Sequence, residues 1–164
     1  METQYRAAGV LPLALREGGV WVLLGTEPTA QGERWLGFGG KREAGDADPR
    51  ATALREYAEE SGGALEAPRL LPARYYDWRA KFVLYFGWID YTDALPSFSD
   101  AEAALQPTLN KRQLRWFPLD DLLRGDAFAL DGAFPIKPWF HSFVQRERYA
   151  IRRAVQSALA LETF

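Results

Sequence analysis

Apolar and polar positions alternate in short blocks along most of this chain, and the blocks are separated by turn chemistry. Ala7 to Leu15 is apolar, Arg16-Glu17-Gly18-Gly19 is a turn signal, and Val20 to Gly25 is apolar again. Two β-prone runs around a Gly-Gly turn predict a hairpin. Pro12 places the first strand at an edge or at a bulge, because proline has no N–H to give to a ladder. Glu27 to Arg34 reads as a loop, and Trp35-Leu36-Gly37-Phe38 as a brief apolar segment entering a Gly-rich turn. Leu70 to Asp77 and Lys81 to Asp90 predict a strand pair, and Leu114 to Phe117 a last short strand. Tyr91 to Gln113, with Pro96 and Pro107, reads as a long polar connection.

Three segments carry helical signals instead. Asp48 is a good N-cap, Pro49 suits the first helical position, Arg50 to Glu60 is helix-tolerant, and Ser61-Gly62-Gly63 stops the run. Pro118 to Leu123 predicts a short helix ended by Gly125. Pro138 to Leu161 has Phe140, Val144, Ile151, Val155 and Leu159 at helical spacing and predicts a long final helix. The sum is an α/β class fold with more strands than helices.

Length and composition narrow the class. The 164 residues suit one domain spanning positions 1–164, large enough for a core without staples. Cysteine is absent, which excludes disulfides and thiolate metal sites and fits a reducing, cytoplasmic setting. Twenty Lys and Arg against 22 Asp and Glu argue against a general grip on a nucleic acid polymer. The start of the chain lacks the basic-then-apolar layout of a signal peptide, and no apolar run approaches the ~20 residues of a membrane span. The first strand, read as an edge, could pair with a second copy to form a homodimer.

The near-neutral total conceals a local excess of acid. Glu56, Glu59 and Glu60 fall three and four residues apart on the first helix, so their carboxylates share one side of adjacent turns. Like charges there repel, and a hard divalent cation such as Mg²⁺ or Mn²⁺ turns that liability into a binding site. The Gly39-Gly40 turn lets backbone approach the same place, and Lys41 adds a cation suited to phosphate oxygens. Set against this, Arg55 and Glu59 at i and i+4 are also what a solvated, salt-bridged helix face looks like.

Gly40 to Gly63 resembles the Nudix box, in which a Gly, five residues, a Glu and seven residues precede Arg-Glu-apolar-x-Glu-Glu-x-Gly-apolar. Here Asp46 stands in place of the first Glu, and eight residues rather than seven separate it from Arg55. The resemblance implies a Nudix-type α/β/α sandwich with a mixed central sheet. It also implies a pyrophosphohydrolase in which Glu56, Glu59, Glu60 and the Gly39 carbonyl hold Mg²⁺ or Mn²⁺ while Arg55 and Asp46 orient the carboxylates. Water would attack phosphorus in a nucleoside diphosphate derivative, with Glu59 taking the proton and Lys41 meeting phosphate. Many members carry a further acid ahead of a Trp-Phe-Pro-Leu segment. Here Asn110 to Arg115 holds none, which leaves Asp100 and Glu102 upstream as substitutes or as ordinary loop residues.

Within the family, the Gly37-Phe38-Gly39-Gly40-Lys41 turn looks most like that of the animal MutT homologues acting on oxidised purine nucleoside triphosphates. That likeness implies substrate contacts at Trp35, Phe38, Phe128 and Asp131, although Leu36 stands where those enzymes place a base-reading Asn. Trp78 and Trp139 are further candidates for a nucleobase platform, whereas the sole histidine, His141, reads as a packing residue. ADP-ribose, a dinucleoside polyphosphate, or nucleotide sensing without hydrolysis are the alternatives to a nucleoside triphosphatase.

Overall fold

A computed structural model describes residues 4–124 and 134–162. The strands are β1 (Ala7–Arg16), β2 (Gly19–Thr29), β3 (Gly32–Leu36), β4 (Phe38–Lys41), β5 (Arg69–Asp77), β6 (Phe82–Trp88) and β7 (Leu114–Pro118). The helices are α1 (Pro49–Glu60), α2 (Asp100–Leu105), α3 (Leu119–Leu123) and α4 (Pro138–Glu162). The main sheet runs in the order β3-β2-β1-β6-β5, with β4 paired to β1 and β7 paired to β2. Only β1 with β6 is parallel among these pairings, so the sheet is mixed.

Both faces of the central strands are buried, and residue parity decides which helix each side chain meets. Leu11 and Leu13 of β1 and Leu84 and Phe86 of β6 share a core with Phe140, Val144 and Ile151 of α4 and Leu122 of α3. Ala8 and Val10 of β1 and Val83 and Tyr85 of β6 pack with Ala53 and Tyr57 of α1 on the other face. The result is the expected α/β/α sandwich.

Pro12 does not mark an edge. β1 is interior, flanked by β6 from Ala7 to Leu13, while its other side pairs with β4 at Ala7–Val10 and with β2 at Leu13–Arg16. Leu11 and Pro12 fall at the changeover between those two partners, where the missing N–H interrupts no ladder. The edge-strand route to a homodimer through β1 is therefore closed. The loop expected over Glu27 to Arg34 is also corrected: β2 continues to Thr29 and turns back as β3, with Glu27 opposite Arg34 and Thr26 opposite Trp35. Gly32 at φ +99° makes the turn, and the Thr29 hydroxyl donates to its carbonyl at 2.6 Å. The connection after β6 contains α2, closed by a capping box between Ser99 and Glu102.

Candidate active site

The Asp48 carboxylate accepts from Ala51 N at 2.8 Å, and Pro49 occupies the first turn, so α1 starts where its caps dictate. It ends as Gly63 N donates to Ala58 O at 2.9 Å and Gly62 N to Glu59 O at 3.1 Å, with both glycines at positive φ. Tyr57 packs edge-on against Phe38 of β4, with ring centroids 5.2 Å apart, and the Tyr5 hydroxyl meets Thr52 Oγ1 at 2.7 Å. Fixing that face of the helix turns Arg55, Glu56 and Glu59 toward the turn after β4.

Arg55 is the hub. Its Nε and Nη2 donate to the two oxygens of Asp46 at 3.0 and 2.9 Å, and Nη2 also reaches the Lys41 carbonyl at 2.9 Å. Its Nη1 lies 3.1 Å from Glu56 Oε1, 3.3 Å from Glu59 Oε2 and 3.4 Å from Glu43 Oε1. Asp46 accepts in addition from Thr52 Oγ1 at 2.8 Å and Glu43 N at 2.9 Å. The Arg55 fork, aided by these donors, holds the Asp46 carboxyl well below the usual carboxylate range. Burial pushes Glu56 the other way, and the Arg55 charge opposes that rise. A Cβ on Gly40 would collide with the Glu56 carboxylate, so glycine there makes the space the carboxylate uses.

Glu60 lies at the buried, Gly39 end of the same turn and is 0% exposed. Its Oε1 accepts from Gly39 N at 2.6 Å, while its buried Oε2 has no hydrogen-bond partner. The nearest cation is Lys111 Nζ at 3.9 Å, which donates to Gly37 O at 2.7 Å and Glu27 Oε1 at 2.9 Å. Burial pushes the Glu60 carboxyl up, and Lys111 pulls against that shift. At the effective dielectric of a protein, unit charges ~4 Å apart attract by about 4 kcal/mol before desolvation is counted. Sequence reasoning missed both Lys111 and Glu27. Nothing in a polar run marks a lysine as buried, and the backbone bonds of Thr26 with Arg112 and Gln113 are what bring Glu27 to it.

The NUDIX domain family matches residues 3–140, which is most of the chain. The chain belongs to the Nudix family. Its class of activity is that of a pyrophosphohydrolase, and Arg55, Glu56, Glu59 and Glu60 sit on the helix of the Nudix box. Among solved structures, a C. elegans Ap4A hydrolase in a binary complex aligns with a TM-score of 0.55 at 16% identity, over 90% of this chain and 98% of that one. The NUDIX domain of Shewanella oneidensis NrtR, complexed with ADP ribose, aligns with a TM-score of 0.54 at 16% identity, over 97% and 90%. At such identities the likeness is one of fold. No curated protein matches the sequence.

Several expected contacts of the Nudix site move. Trp35 and Phe38, read as substrate contacts, are each 1% exposed. Trp35 packs edge-on against Phe117 at 5.0 Å and Phe38 against Tyr57, so both rings belong to the core. Phe128 and Asp131 lie outside the described residues. Trp78 is exposed at the β5–β6 turn. Trp139, 38% exposed, stands edge-on to Phe82 at 5.3 Å, and the two border a small cleft with Leu36, Gly37 and Gly39. Asp100 accepts from Arg112 Nε at 2.8 Å, and the Glu102 carboxylate caps α2, so both serve local structure. The Lys41 side chain is exposed.

Among the described residues, no three acidic or histidine side chains converge tightly enough to grip an ion as they stand, because Arg55 lies between Glu56 and Glu59. The donor set nevertheless fits a hard divalent cation. It is all oxygen, Gly40 leaves the Glu56 carboxylate its room, and Glu60 Oε2 is buried without a donor.

Proposed function

We propose that this Nudix protein hydrolyses the diphosphate linkage of a nucleoside diphosphate derivative, that its substrate is a nucleoside triphosphate, and that the reaction needs Mg²⁺ or Mn²⁺. The observation that carries this reading is the gathering of Glu43, Asp46, Glu56 and Glu59 on Arg55, beside the Gly39–Gly40 turn. Glu56 and Glu59 on the helix would hold the cation, with the Gly39 carbonyl and Glu60 at the turn. When bound, it would neutralise phosphate charge and acidify a water. Arg55, fixed by Asp46, orients the carboxylates, Glu59 accepts the proton from water, and exposed Lys41 meets phosphate oxygens. The part-exposed Trp139 ring, at the rim of the cleft it borders with Phe82, is the stacking partner this reading assigns to the substrate's base.

The test is a panel of nucleoside triphosphates, oxidised nucleotides, ADP-ribose and dinucleoside polyphosphates, incubated with Mg²⁺ or Mn²⁺ and read by product. A triphosphatase releases pyrophosphate and a nucleoside monophosphate. ADP-ribose as preferred substrate yields AMP and ribose 5-phosphate and replaces the nucleoside triphosphate in this reading. Glu59→Gln is expected to lower kcat by about 10²-fold or more, as loss of a general base does. No turnover of any compound, or full turnover by Glu59→Gln, sinks the proposal.

A further inference from the structure

Lys111 is 0% exposed, an uncommon place for an ammonium, and the chain is built to bring it there. Arg112 N donates to Thr26 O at 2.9 Å and Thr26 N to Gln113 O at 2.8 Å, which clamps the segment to β2. A Cβ on Gly25 would lie 2.7 Å from Lys111 Cδ, so the side-chain stem runs through space that only glycine leaves open. At its end Nζ meets Gly37 O at 2.7 Å, Glu27 Oε1 at 2.9 Å and Glu60 Oε2 at 3.9 Å, with the Phe38 ring centroid at 5.4 Å. Two oxygens accept hydrogen bonds from Nζ and the third, Glu60 Oε2, faces it as an ion-pair partner beyond hydrogen-bond reach, so the ammonium stands inside a cage of oxygens. The cage roof is the Gly37–Gly39 segment, whose Gly39 N–H is itself taken by Glu60.

We infer that Lys111 is a positioning residue of the proposed cation site: its ammonium is a built-in cation that fills the Glu27–Gly37–Glu60 cage and so holds Glu60 and the turn in the arrangement a divalent ion requires. The inference rests on the metal-dependent reading above. Without that ammonium, Glu27 and Glu60 lie on either side of an unfilled gap beneath the Gly37–Gly39 segment, with nothing between them to hold their oxygens in place.

The experiment measures Mn²⁺ affinity by electron paramagnetic resonance of free Mn²⁺, without nucleotide, and melting in EDTA. Lys111→Ala is expected to bind Mn²⁺ about tenfold more weakly or worse, the usual cost of losing a residue that supports ligands. Propylammonium, which replaces the deleted atoms, is expected to restore most of that affinity and raise the melting temperature of Lys111→Ala, while leaving the parent unchanged. Lys111→Met/Glu27→Gln fills the stem's space and deletes the leftover charge, so it folds and reports on Glu60 alone. It is expected to lose Mn²⁺ affinity to a similar degree and to gain nothing from propylammonium. A folded double variant that binds Mn²⁺ as the parent does overturns the inference, as does a folded Lys111→Ala that propylammonium does not rescue. A parent that takes up no Mn²⁺ overturns the proposed function, and this inference with it.

Discussion

Arg55 and Asp46 make two parallel hydrogen bonds between ionised groups, a geometry that asparagine cannot reproduce in charge. Asp46→Asn is expected to cost about 2–3 kcal/mol at neutral pH, in the range for hydrogen bonds to charged partners. The pH dependence has a definite sign. The Asp46 carboxyl is depressed in the folded state, so its contribution is complete above its unfolded-state value near 3.8 and is lost as pH falls through the lower folded value. Urea unfolding of parent and Asp46→Asn should therefore show a gap at pH 7 that narrows by pH 3. A gap that stays constant contradicts the assignment. The substitution of Asp for the usual Glu in the box is consistent with this geometry: the shorter side chain still reaches both Arg55 nitrogens because Glu43 N and Thr52 fix it from behind.

Elements differ in how much of the molecule depends on them. α2 buries no side chain, and its start is closed by its capping box, the Ser99 hydroxyl accepting from Glu102 N at 3.1 Å. Ser99→Ala should fray it, at a local cost of about 1 kcal/mol. Faster amide exchange confined to residues 100–105 and an unchanged global melt are the expected result; a matching fall in melting temperature would show α2 to be coupled to the core. A helix of six residues inside the polar connection read over Tyr91 to Gln113 is too short to show a period. α1 and α4, by contrast, were legible, because caps or long apolar spacing are local properties. The continuation of β2 and its return as β3 were not. Glu27, Pro28 and Glu33 read as loop composition, and they become strand residues through cross-strand partners that no local window contains. Phe38 and Trp35 failed for a related reason: an aromatic beside a Gly-rich turn looks the same whether it meets a ligand or a neighbouring helix.

The whole molecule divides its labour between the faces of one sheet. The α1 face carries the carboxylates, and the α4 face carries the larger apolar cluster. Ile151, fully buried on the α4 face, is remote from Arg55 in element and in core, so Ile151→Ala should cost about 2–5 kcal/mol of stability and leave Mn²⁺ affinity intact. Thermal unfolding and Mn²⁺ titration of the same sample check both halves, and a variant that lost cation affinity would show the faces to be coupled. The layered class was readable from the spacing of apolar runs, but the interior place of β1 was not, since which strands neighbour one another is decided by closure of the whole sheet. Lys111 and Gly25 draw out a last consequence of that closure. A side chain at position 25 and a lysine at position 111 compete for the same volume. Position 25 therefore cannot gain a side chain while the lysine stands, and an engineer who wished to transplant the buried charge into another scaffold would have to carry the glycine with it.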